Sequence, residues 1–157
     1  NTVGLMIPGL PFIGLGRNPH IAWGGTHMRA GSSELYDLNK LKNPVVTERK
    51  ERIKSRFWFD KEVTIRESDL GPILSDRPLM DPATGETVAF HWMGHKPSNE
   101  FGALLAANRA DSKEAFRNAF NTYAVSGQNY LFATKTEIGY VAAVRLPIQP
   151  TFSSKHA

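Results

Sequence analysis

Thirteen glycines and ten prolines punctuate the 157 residues, and the apolar residues between them come mostly in short runs. Glycine and proline interrupt helices and mark turns, so much of the first two thirds of the chain is confined to short strands. Val3 to Ile7, Phe12 to Leu15 and His20 to Thr26 read as strands separated by Pro-Gly and Asn-Pro turns, and Ser33 to Leu38 as a fourth. From Glu51 to Phe59 and Val63 to Arg66, apolar and charged residues alternate. Ile53, Ser55, Phe57 and Phe59 are set against Arg52, Lys54 and Arg56. That period of two predicts a strand with one wet face. Gly71 to Ser75 reads as a short buried strand. Asp81 to Gly85 reads as a turn and Glu86 to Met93 as the strand after it, which predicts a hairpin.

The pattern then changes period. Phe101, Leu104, Leu105 and Asn108 fall at helical spacing after Ser98, an N-cap residue type. Asp111-Ser112-Lys113-Glu114 has the spacing of a capping box, and Phe116, Ala119, Phe120 and Tyr123 form an apolar stripe behind it. Asn129 to Thr134 and Ile138 to Val144 return to strand, joined by a polar turn. The prolines after Leu146 end the ordered pattern, so residues 150–157 are expected to be a disordered tail. Strands, a helix pair and two further strands predict an α+β fold with a largely antiparallel sheet. The length suits a single domain over 1–157.

Composition excludes several functions. There is no cysteine, which rules out disulfides, thiolate metal sites and a Cys nucleophile. The net charge of +4 is too small to signal nucleic acid by itself. The longest apolar stretch, Val3 to Leu15, is broken by Gly and Pro and is too short to span a membrane. It has no basic segment before it, so it reads as neither signal peptide nor anchor. No membrane partner is expected.

The local candidates for chemistry are weak. His91 and His95 have the i,i+4 spacing of helical metal ligands, but they lie on a strand running into a Gly turn with no Cys, Asp or Glu to complete a site. The basic residues Arg49, Lys50, Arg52, Lys54 and Arg56 are interleaved with Glu48 and Glu51, which suits a solvated strand face better than a nucleic-acid patch. Gly9, Gly14, Gly16, Gly24 and Gly25 form no phosphate loop. Ser75 and the pair Ser32-Ser33 lie in no nucleophile elbow.

Six blocks, in order, carry more information. Pro8-Gly9-Leu10-Pro11 through Gly16-Arg17-Asn18-Pro19-His20-Ile21-Ala22-Trp23-Gly24-Gly25-Thr26 resembles the "PG-P…G-N--IAWG-T" block of the penicillin acylase family. Ser33 to Asp37 is similar to its "DLY" element and Gly71-Pro72-Ile73-Leu74-Ser75-Asp76 to its "GPVISD" block. Phe90-His91-Trp92 resembles its "ALRW" strand and Asn108-Arg109-Ala110 through Phe116 its "NRA" helix pair. Gln128-Asn129 followed by Ile138-Gly139-Tyr140 is similar to its "QN…IGY" block.

The resemblance implies that residues 1–157 are a single partial domain, an internal segment of an acylase β-chain and part of an αββα N-terminal-nucleophile hydrolase sandwich. It implies the hydrolysis of a linear acyl amide, of β-lactam side-chain or N-acyl homoserine lactone type, through an acyl-enzyme. The nucleophile it implies is a Ser upstream of these residues, whose own α-amino group is the base. It implies Asn129 (side-chain amide) and His27 (backbone N–H) as the two oxyanion donors, with Gly25, Met28, Leu15 and Ile73 around the acyl group. The expected partners are a small acyl amide and the remaining α- and β-chain segments of an acylase; no cofactor is expected. Family members are commonly periplasmic or secreted. Glu34 is a possible calcium ligand by resemblance, but Gly31 and Ser32 stand where further acids belong, so no metal site is expected. Gln149 replaces the family's usual Arg and Leu70 its usual His. These two changes favour an alternative: a non-catalytic relic or binding module that kept the fold. By itself this chain, without nucleophile or base, is expected to be inactive.

Overall fold

The computed structural model describes residues 1–76 and 85–150. In chain order the strands are β1 (Val3–Leu5), β2 (Leu15–Arg17), β3 (Ala22–His27), β4 (Ser33–Asp37), β5 (Val46–Ile53), β6 (Lys61–Ser68), β7 (Gly71–Pro72), β8 (Val88–Trp92), β9 (Gln128–Ala133) and β10 (Ile138–Ala143). Helices α1 (Glu100–Arg109) and α2 (Lys113–Ala119) lie between β8 and β9 in the chain. The strand pairings are antiparallel, so the α+β expectation with a helix pair holds. The expected turn at 81–85 falls, up to residue 84, outside the described residues, as does the expected tail beyond Pro150.

The chain gathers into two compact units. The first is Asn1–Ser32 with Met93–Leu146, and the second is Ser33–Trp92 with the described residues from Pro147.

In the first unit the strand order is β1-β2-β3-β9-β10. Its central pair, β3 with β9, joins the two ends of the unit, from Ala22↔Ala133 to His27↔Gln128. One face of this sheet carries Ile21, Trp23, Tyr130, Phe132 and Ala143, which pack with Ala103 and Ala107 of α1 and with Phe116, Phe120 and Tyr123. The alanines keep α1 slim, and the predicted stripe of α2 supplies the bulk. Phe116 is fully buried (0% exposed), with ring centres 5.1 Å from Phe132, 5.3 Å from Phe120 and 5.9 Å from Trp23.

Several boundaries differ from expectation, among them β1, which ends at Leu5, β3, which runs from Ala22 to His27, and β7, which is only Gly71–Pro72; three differences have a clear local reason. Strand β2 starts at Leu15, not Phe12, because Phe12 turns inward to meet Phe101 edge-on at 5.6 Å and Ile13 is held by Asn108. Its pairing with β1 brings Gly4 and Gly16 face to face; a Cβ on Gly16 would lie 2.2 Å from the Val3 carbonyl oxygen. Helix α1 is capped by Asn99, whose Oδ1 accepts from the Gly102 N–H at 2.9 Å, while the Ser98 hydroxyl donates to Glu100 instead. Helix α2 is capped by Ser112, one residue after Asp111, through the Ala115 N–H at 3.3 Å.

The second unit has two small sheets, β4-β8 and β5-β6-β7. Tyr36, Leu38, Leu41, Ile73 and Ala89 form its core, with Leu70 beside them. The β5–β6 ribbon corrects the expectation of a strand over 51–59 with one dry face. The strand begins at Val46 and ends at Ile53, and all eight of its residues are exposed. The alternation of β5 therefore buries nothing, while on β6 Val63 and Ile65 are partly buried. The segment from Lys54 to Asp60 is the hairpin tip rather than strand.

Candidate functional site

The site predicted around residues 27 and 129 depends on how β3 and β9 are phased. Met28, just after β3, donates its N–H to the Gly127 carbonyl at 2.9 Å. Hydrogen-bonded pairs alternate along an antiparallel ladder. Thr26 and Asn129 are therefore a bonded pair, and His27 and Gln128 are not. This phase turns the His27 N–H away from β9, toward the side where β2 runs. But β2 begins at Leu15, and its register with β3 (Gly16↔Trp23) runs out before Gly25 and His27. The His27 N–H thus points past the end of a strand.

Asn129 and Thr26, directly opposite each other, project from the same face of the sheet. This is the face opposite the helices, and it is open: Leu131, Tyr140 and Ile138 are all exposed on β9 and β10. The Asn129 Nδ2 lies 3.3 Å from the His27 carbonyl oxygen and 3.5 Å from Thr26 Oγ1. On the other side the Tyr140 hydroxyl donates to Asn129 Oδ1 at 2.7 Å. The short bond to Oδ1 sets the orientation of the carboxamide: its oxygen faces β10 and its two N–H donors face the end of β3. Nδ2 is bound only by long contacts, so it keeps donor capacity.

The other predicted residues are spread more widely. Gly25 faces the helix side, where a Cβ would meet the Tyr130 ring at 2.9 Å and the Asn129 carbonyl oxygen at 3.2 Å. A side chain there would push on the strand that carries Asn129. Leu15 opens β2 and is partly exposed. Met28 closes the β3–β9 ladder. Ile73 belongs to the second unit, where it is 1% exposed and bridges Ala89 in that unit's core. A shallow depression of about 220 Å³ runs along β3, β9 and β10, lined among others by Ala22, Gly24, Leu131 and Ile138.

Three side chains that hold the frame escaped the sequence reading as structural elements. The Asn18 amide donates to the Ala110 carbonyl at 2.7 Å and the Asn108 carbonyl at 3.1 Å, and its Oδ1 accepts from the His20 and Ile21 N–H groups at 2.8 Å each. Asn108 accepts from the Ile13 N–H at 2.8 Å and donates to the Ile13 and Leu104 carbonyls at 2.9 Å each. Together they hold the turn before β3 on the end of α1. Glu100 works at the other end of α1. Its Oε1 accepts from Ser98 Oγ at 2.6 Å and from the Ala124 and Val125 N–H groups at 3.0 and 3.1 Å. Burial alone would raise this carboxyl's pKa, but those hydrogen bonds outweigh it and leave the group below its usual range. The segment entering β9, and so Asn129, is tethered to α1 by this one oxygen.

His91 and Ser75 have local roles within the second unit. His91 Nδ1 lies 2.7 Å from the Leu70 carbonyl oxygen, where the hydrogen bond satisfies the ring nitrogen. Ser75 Oγ accepts from the Val88 N–H at 3.1 Å. Among the described residues there is no group of three His, Cys, Asp or Glu side chains placed to hold a metal.

Comparison with known proteins bears on the fold and the family. No curated protein sequence matches the chain. Among solved structures, thermostable penicillin G acylase from Alcaligenes faecalis matches with a TM-score of 0.60 at 24% identity, over 91% of this chain and 29% of that one. At that identity the likeness shows the fold alone, and the chain spans under a third of that enzyme's length. The family model of penicillin amidase matches residues 1–156. With six ordered blocks, the fold and nearly its whole length in register, the chain belongs to the penicillin amidase family.

Proposed function

We propose that this chain is the oxyanion-holding segment of an amidohydrolase that cleaves linear acyl amides. The observation that carries the reading is the carboxamide of Asn129, turned by Tyr140 so that its donors face the end of β3 beside His27. When a nucleophile attacks an amide carbonyl, the oxygen gains negative charge. Donors already aimed at that position stabilise the charge without reorganising. A neutral carboxamide and a main-chain N–H suit this task. Neither changes charge near neutral pH, and the N–H cannot swing away on a side-chain rotamer. The acyl group would then lie toward Leu15 and Met28, along the open face of the sheet, with Gly25 turned to the other face. The nucleophile, the amine-side contacts and the other acylase segments come, in this reading, from outside these residues.

The test uses the complete gene product and a phenylacetyl or fatty-acyl chromogenic amide. Asn129→Ala is expected to lower kcat about 10²- to 10³-fold, as loss of one oxyanion donor does, with KM changed far less. Tyr140→Phe keeps the carboxamide and loses its orienting bond; the expected loss is about tenfold, the worth of one strong hydrogen bond. Full kcat in Asn129→Ala refutes the reading. A complete product with no amidase activity on any acyl chain favours the relic that Gln149 and Leu70 suggest.

A further inference from the structure

The tip of the β5–β6 hairpin presents three consecutive aromatic side chains to solvent. Phe57, Trp58 and Phe59 are 86%, 81% and 86% exposed. Contiguous apolar surface of this kind marks a contact site. The charges around it are not random. In the outer half of the hairpin the acids are neutralised in place: Glu51 by Arg49, Glu62 by Lys50 at 3.0 Å and Asp60 by Arg52 at 2.9 Å. Lys54, Arg56 and Lys61, which flank the aromatics on both sides, have no ion-pair partner among the described residues. The Arg56 guanidinium lies 5.1 Å from the centre of the Phe57 ring. The tip is therefore an apolar point with a ring of uncompensated positive charge.

We propose that this tip docks on an anionic lipid surface, with the aromatics at the headgroup boundary and the three cations among the headgroups. Two features favour a lipid surface over a protein groove. The Trp58 and Phe59 rings meet edge-on at 6.3 Å and stand out with Phe57 as an exposed knob; a rigid partner would need a pocket shaped to enclose it, whereas a fluid interface accepts it without one. Tryptophan also favours the headgroup level, and cations beside it are drawn to anionic lipid. Neither signal alone gives stable attachment, but the two together do. Such docking needs no spanning segment, and among the described residues no helix is long and apolar enough to cross a membrane. It is independent of the amidase reading, since the hairpin shares no residue with the Asn129 site.

The experiment is co-sedimentation of the complete gene product with vesicles of phosphatidylcholine alone or with phosphatidylglycerol added. Three cations at roughly a factor of five each predict about a hundredfold preference for the anionic vesicles, lost at high salt. Trp58 emission should shift to the blue on binding. The triple variant Phe57→Ser, Trp58→Ser, Phe59→Ser should abolish binding. Arg56→Glu with Lys54→Glu should abolish the preference for anionic lipid. Because every altered side chain is exposed, all variants should keep the parent's unfolding midpoint, which is checked alongside. No vesicle binding, equal binding to neutral vesicles, or binding unchanged in the triple variant overturns the proposal. Binding of an acidic protein in place of vesicles overturns it too.

Discussion

Two antiparallel ladders in this molecule make an instructive pair. The β3–β9 ladder has six registered pairs and the β5–β6 ladder has eight. The longer one is the less protected. Trp23, Tyr130 and Phe132 on the shorter ladder are buried against the helices, whereas every residue of β5 is exposed. Ladder hydrogen bonds replace bonds to water and add little net. What separates the two is burial: one sheet has a helix layer on one face, and the other is held by its ladder and cross-strand ion pairs. Asn129, the proposed donor, stands on the first kind of ladder, and the aromatic tip proposed as a docking surface ends the second.

The largest test of this contrast is a pair of matched truncations. Phe116→Ala should destabilise the first unit by about 3–5 kcal/mol, because a fully buried ring leaves a cavity among Trp23, Phe120 and Phe132. Phe57→Ala should change stability by no more than about 0.5 kcal/mol. Denaturant titration of both variants decides it. Equal effects would mean that the two ladders are not supported differently.

The next effect probes what holds β3 in place. Asn18→Ala removes four hydrogen bonds and leaves the Ala110 carbonyl and the Ile21 N–H unpaired in a buried setting. The expected cost is about 2–4 kcal/mol in a melting experiment. Asn18→Asp should not rescue it, since the carboxylate cannot donate to the Ala110 and Asn108 carbonyls.

Asn18 also shows where the sequence could be read and where it could not. Strand β4, strand β10 and the stripe of α2 were legible from period alone, because local pattern and burial agree there. The β3–β9 pairing was not, since it joins distant segments that carry no mark of each other. The nearness of Asn129 to His27 was accessible only through resemblance to a family, not through spacing. Asn18 reads as half of an Asn-Pro turn and Asn108 as one more position at helical spacing; their roles exist only once the turn meets α1. In the sequence Tyr140 is only a letter of the motif, because the hydroxyl that orients Asn129 sits diagonally across two strands. The ribbon misled in the opposite way. Its alternation is a good strand signal, but the dry face it predicted is exposed along β5.

A smaller effect separates charge from packing at Glu100. Its carboxyl titrates below the ordinary range because bonds from Ser98, Ala124 and Val125 outweigh its burial. A depressed folded pKa stabilises the protein above the unfolded value and ceases to do so as pH falls through the folded one. Glu100→Gln should therefore cost about 1–2 kcal/mol at neutral pH, the worth of hydrogen bonds to a charged acceptor. The gap between variant and parent should narrow below about pH 4, where the unfolded carboxyl protonates. A gap that stays constant down to pH 2 would show that packing, not charge, is what Glu100 supplies to the approach of β9.

The smallest effect belongs to the ribbon. Arg66 on β6 makes a two-pronged pair with Asp76, Nε to Oδ2 at 2.8 Å and Nη2 to Oδ1 at 2.5 Å. Its hydrogen bond to Asp76 holds the guanidinium pKa above the usual value against the opposing effect of burial. The pair is partly solvated, so water and salt screen much of that attraction, and Arg66→Ala should cost at most about 1 kcal/mol. That loss should shrink in about 1 M salt, where the screening length falls to roughly 3 Å. The loss from Phe116→Ala should not shrink, because excluded water rather than charge holds that ring. If Arg66→Ala costs as much as Asn18→Ala and is indifferent to salt, then Arg66 anchors the ribbon by packing its stem, and the division between a buried ladder and a solvated one fails at this residue.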